Sequence, residues 1–110
     1  MQLKEYQEKA KKTDLGTIAK ENNFDYYALG LVNEAGEVAG KIKKIHRDYD
    51  GLITDEYRKE LAKEMGDVLW YLSALCEKFN LTLEEIAQMN IDKLYSRLER
   101  NQIKGNGDNR

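Results

Sequence analysis

With 110 residues, 41% of them apolar, the chain can build one domain with a modest core and little more. Eighteen basic residues against twenty acidic ones leave a net charge of −2, which excludes a general electrostatic attraction to nucleic acid or to an anionic membrane. The single Cys76 excludes an internal disulfide, and no apolar run approaches the length of a membrane span or follows the signal-peptide pattern, so a cytoplasmic protein is expected.

Proline is absent and Glu, Lys, Leu and Ala are abundant, so nothing forces a break inside a helix and an all-α fold is expected. A short helix over residues 3–12 comes first, stopped by a polar stretch from Thr13 to Asn23 that contains Gly16 and two asparagines. Residues 24–49 follow as a long helix, whose core face is Tyr27, Leu31, Ala35, Val38, Ile42, Ile45 and Tyr49 at three-and-four spacing. Asp50-Gly51 makes a turn and Thr54 an N-cap, after which Tyr57, Leu61, Met65, Val68, Leu72, Leu75 and Phe79 mark a second long helix. Thr82 and Glu85 are spaced as a capping box, ahead of a last helix with Leu83, Ile86, Met89 or Asn90, Leu94 and Leu98 on its apolar face. The expectation is one domain over residues 1–104, a small bundle of about four helices, with residues 105–110 as a frayed tail. Helices so amphipathic in so short a chain leave apolar surface that a second copy can cover, so a homo-oligomer is expected to complete the bundle.

The chemistry lies in an internal echo: Glu34-Ala35-Gly36-Glu37-Val38 in the first long helix and Glu64-Met65-Gly66-Asp67-Val68 in the second. Acids three apart share a helix face, and like charges so placed repel unless a cation neutralises them. These acids also interleave with the apolar stripe, where unpartnered carboxylates cost several kcal/mol each. Solvated helix faces would give one such pair by chance; two pairs on consecutive helices, each with the same Gly and Val, point to a metal site. The mid-helix glycines Gly30, Gly36, Gly40 and Gly66, each costing about 1 kcal/mol relative to Ala, serve either ligand access or tight helix packing.

Four oxygen donors without His or Cys suit a hard cation, Mg²⁺ first and Mn²⁺ as a substitute. A di-iron centre needs Glu-x-x-His pairs, whereas the lone His46 has Lys43 three residues before it and is given no role.

At these residues the chain resembles the MazG-type nucleoside triphosphate pyrophosphohydrolases, all-α enzymes marked by E-x-x-E on one helix and E-x-x-D on the next. Glu34, Glu37, Glu64 and Asp67 match that pattern, and the likeness runs from Tyr6-Gln7 through E-A-G-E-V-A-G-K and E-M-G-D-V-L-W-Y to Asn90, Lys93 and Arg97. The resemblance implies Mg²⁺ held by the four acids and hydrolysis of a nucleoside triphosphate between its α- and β-phosphates, giving a monophosphate and pyrophosphate. It also implies assembly as a homodimer or homotetramer with sites near subunit interfaces. Glu37 is the first choice for the base that takes the proton of the attacking water.

Lys41, two turns after Glu34, reaches either the pyrophosphate leaving group or a balancing carboxylate. Glu60 is either a further acid of the site or simply exposed. Asn90, Lys93 and Arg97 form a donor-rich stripe that can hold phosphates, although basic residues near a helix C-terminus are favoured by the dipole in any case. Trp70 and Tyr71 are either a stacking surface for a base or core residues. Two other readings stay open: a phosphohydrolase acting on a phosphoribosyl nucleotide, and a non-catalytic helical interaction module.

Overall fold

The computed structural model describes residues 1–16 and 24–110, so Asn22 and Asn23 of the polar stretch lie outside the described residues. Four helices follow one another there: α1 (Leu3–Lys11), α2 (Asp25–Tyr49), α3 (Asp55–Lys78) and α4 (Leu83–Glu99), with no strand among the described residues. The fold is all-α, as the residue pattern predicts.

Two of the starts are capped by threonine. Thr54 Oγ1 accepts from the Tyr57 amide at 3.2 Å and Thr82 Oγ1 from the Glu85 amide at 3.1 Å, satisfying donors that a helix N-terminus otherwise leaves free. Thr82 also donates its hydroxyl to Glu85 Oε2 at 3.0 Å, so the two residues are joined side chain to side chain. The three long helices share one kind of stop, an Asx residue in the left-handed region: Asp50 at φ 52°, Asn80 at φ 55° and Asn101 at φ 57°. Immediately after each, an amide turns back to a last-turn carbonyl, from Gly51 to Ile45, Leu81 to Cys76 and Gln102 to Arg97.

α2 and α3 form a hairpin, and α1 packs on α3 and α4. Around the buried Tyr27 and Ala74 gather Tyr26, Trp70, Tyr71 and Leu75, so an aromatic cluster holds the open end of the hairpin. Polar bonds fix its edges: the Tyr27 hydroxyl donates to Asp14 Oδ2 at 2.5 Å, and Trp70 Nε1 donates to Thr13 Oγ1 at 2.7 Å. α1 is anchored by Gln7, 5% exposed, whose Nε2 donates to Glu77 Oε1 and to the Leu81 carbonyl while its Oε1 accepts from the Leu83 amide at 2.8 Å. One buried amide thus ties α1 to both sides of the α3–α4 turn.

The apolar stripes are only partly covered. Tyr27, Ile45 and Leu61 are buried, but Ile42, Tyr49, Met65, Phe79, Met89, Leu94 and Leu98 are exposed. The reason is architectural, since α2 packs on α3 alone and α4 barely touches α3. The radius of gyration is 16.9 Å, against about 13 Å for a compact domain of this size. The accessible surface is 8652 Å², against about 6,300 Å² for a folded monomer of 12.8 kDa. Residues 105–110 lie back along α4, with Arg110 donating to the carbonyls of Gln102, Ile103 and Gly107. No helix among the described residues is long and apolar enough to cross a membrane.

Candidate metal centre

The hairpin brings the two halves of the echo face to face. Glu34 from α2 and Glu64 and Asp67 from α3 each offer a carboxylate oxygen, all within 4.8 Å of one another, the one such group of metal-ligating side chains among the described residues. Glu34 and Glu64 are half-buried and Asp67 is exposed, so the group opens to solvent on one side. Partial burial, and then the neighbouring charges of Asp67, Glu64 and Glu37, push the Glu34 carboxyl above its ordinary value. The fold therefore concentrates negative charge here at a cost, and three convergent oxygen donors fit a hard divalent cation.

Glu37 stands apart from this triad: it is exposed, one turn further along α2, near enough to act on Glu34 by its charge. Lys41 meets the site from the other side, with Nζ 3.6 Å from Glu64 and 3.9 Å from Glu60. Glu60 is drawn outward by Lys63 at 3.1 Å, which holds its carboxyl below the ordinary range.

Of the four mid-helix glycines, Gly30 is the one in close contact. A Cβ there would lie 2.1 Å from Tyr71 Cε1, so the absent side chain is what admits the Tyr71 ring between α2 and α3. A Cβ at Gly36, Gly40 or Gly66 would meet open space. Beside the acids, Ala35, Val38, Met65 and Val68 of the same two motifs line an open apolar groove of about 290 Å³.

The aromatics divide. Trp70 faces α1, bonded to Thr13 and lining a 130 Å³ cavity with Asp14, Ser73 and Glu77. Tyr71 turns toward the acids: its phenol is pushed up by the Tyr26 hydroxyl, by burial and by Glu34 and Asp67. Tyr6 enters the sequence reading only as the start of the family likeness, with no role attached; in the structure burial and then the Asp67 charge push its phenol up. No spacing rule links a residue on α1 to one on α3, so only the docking of α1 reveals it.

Asn90, Lys93 and Arg97 do not join this group within the chain, because α4 makes no contact with α2. Asn90 is exposed, while Lys93 and Arg97 pair with Asp108 of the tail.

Comparison with known proteins bears on the same residues. A family model described as the MazG nucleotide pyrophosphohydrolase domain matches residues 22–101, a span that holds all four motif acids and the α4 donors. The chain belongs to the MazG family. It is 49% identical over 87 residues to the Gene 37 protein of Mycobacterium phage L5, covering 79% of this chain and 76% of that one. It is 30% identical over 103 residues to Uncharacterized protein YvdC of Bacillus subtilis (strain 168), covering 88% and 90% respectively. No solved structure matches the chain. Within the matched span the two acidic motifs lie on consecutive helices, α2 and α3, and three of their carboxylates converge on an acidic site suited to a metal ion.

Proposed function

We propose that the protein is a Mg²⁺-dependent nucleoside triphosphate pyrophosphohydrolase of the cytoplasm, cleaving between the α- and β-phosphates to release a monophosphate and pyrophosphate. The observation that carries this reading is the convergence of Glu34, Glu64 and Asp67 in a MazG domain. These three carboxylates hold the ion, with Glu37 completing the set or standing beside it. When bound, Mg²⁺ supplies Lewis-acid polarisation of phosphate oxygens and of water, and Mn²⁺ can serve in the same way.

The chain's own residues do the rest. Glu37, exposed and outside the triad, accepts the proton of the attacking water as its oxygen bonds to the α-phosphorus. The bond from that phosphorus to the bridging oxygen breaks, and the oxygen leaves on pyrophosphate. Lys41 balances Glu64 before substrate arrives and meets the phosphate charge afterwards. Asn90, Lys93 and Arg97 supply further donors to the phosphates. Because α4 is remote from α2 in one chain, we assign them to the acidic site of a second copy in a homodimer or higher homo-oligomer.

The test is pyrophosphate release from a panel of canonical and modified nucleoside triphosphates, with and without Mg²⁺, for wild type and Asp67→Ala. Expected are equal yields of monophosphate and pyrophosphate that require the metal and fall at least a hundredfold in the variant. Turnover confined to phosphoribosyl nucleotides, or none at all, rejects the proposal.

A further inference from the structure

Arg97 is 4% exposed near the end of a helix whose other face is open, and its Nε is buried without a partner among the described residues. Its Nη2 donates to the Gly107 carbonyl at 3.3 Å and the Asp108 carbonyl at 2.7 Å, and lies 3.5 Å from Asp108 Oδ1. Lys93 Nζ donates to that same carboxylate oxygen at 3.1 Å. Three oxygens from two successive tail residues therefore gather on a guanidinium and an ammonium one helical turn apart. A phosphate group presents its oxygens to such a pair in the same manner, with the planar guanidinium taking more than one.

The rest of the tail is built to keep those oxygens in place. Gly105 at φ 134° and Gly107 at φ 86° take backbone conformations that side chains disfavour, and they turn the chain back toward α4. Arg110 donates to three carbonyls of residues 102–107, and Arg100 Nη2 donates to the Arg110 carbonyl at 2.7 Å. Held on the same chain, the oxygens compete at a high effective concentration.

We propose that residues 105–110 are a built-in competitor for phosphate: the Gly107 and Asp108 oxygens fill the anion seat of Lys93 and Arg97, and a polyphosphate binds α4 by displacing them. This rests on the reading of Lys93 and Arg97 as phosphate-binding residues. The tail thereby sets a threshold below which the α4 donors stay closed.

The experiment is calorimetric binding of inorganic pyrophosphate to the full chain in metal-free buffer. It compares wild type, Asp108→Asn, Gly107→Val and Lys93→Gln, with the amide signals of Gly105 and Gly107 followed by NMR. Asp108→Asn should tighten binding about threefold, the scale of an exposed ion pair. Gly107→Val, which unseats the tail while keeping both cations, should tighten it about tenfold, and pyrophosphate should move both glycine signals of wild type toward disordered-chain positions. Equal affinity for wild type, Asp108→Asn and Gly107→Val, with weaker binding by Lys93→Gln, overturns the competitor while leaving the phosphate reading intact. Pyrophosphate binding that is absent throughout, or unchanged in Lys93→Gln, rejects both.

Discussion

Glu34 shows how a functional residue works against its own fold. Its carboxyl is pushed up by partial burial and by three neighbouring acids, so the folded chain holds that proton more tightly than the unfolded chain does. Such a group is destabilising while ionised: stability rises as the pH falls through the raised value toward the ordinary 4.5, and is lost again above it. Metal-free Glu34→Gln should therefore melt higher than wild type at pH 7, with a flatter dependence on pH in that window. Mg²⁺ should raise the melting temperature of wild type and leave that of the variant unchanged, because a ligand stabilises only the state that binds it. A variant melting lower than wild type at pH 7 would contradict the charge-crowding account. Gln7 is the opposite kind of residue. Its side chain is satisfied three times over, and what it supplies is the position of α1, hence of Tyr6, whose phenol feels the Asp67 charge.

The helices owe their limits to small local devices, and the stop after α3 is the easiest to probe. Asn80 sits at φ 55° with its neighbour's amide bonded back to Cys76. Glycine adopts that conformation freely and alanine does not, so Asn80→Gly should equal or exceed wild type in stability, while Asn80→Ala should lose about 1 kcal/mol in urea denaturation. Equal loss in both would mean that the Asn side chain, not the backbone angle, makes the stop. At this scale much was legible in the residue pattern. Three-and-four spacing located the three long helices, the polar stretch after Lys12 set off the short first one, Thr54 and Thr82 marked two starts, and the paired E-x-G-acid-V motifs placed three carboxylates that do meet. What spacing does not encode is which helix packs on which. It therefore gave no sign that Gly30 makes room for Tyr71 while Gly36 and Gly66 face open space, that Gln7 anchors α1, or that Lys93 and Arg97 turn to the tail.

For the molecule as a whole, the decisive quantity is uncovered surface. The chain exposes roughly 2,400 Å² more than a compact monomer of its mass, and Leu29, Val32, Ile42, Leu94 and Leu98 contribute to it. An obligate homodimer buries about 2,000–5,000 Å² in total, so a second copy is an occupant of the right size. Light scattering should give a solution mass of twice 12.8 kDa or a higher even multiple. Val32→Glu or Leu98→Glu, each at an exposed apolar position, should shift the protein to monomer. A monomeric wild type at micromolar concentration would defeat the assignment of the α4 donors to a neighbouring site. The indole of Trp70, the only one in the chain, is tied through its N–H to Thr13 just beyond α1 and packed at 6.4 Å on Tyr27. Its emission is consequently a private optical channel on the docking of α1, one that can be watched in real time without any label.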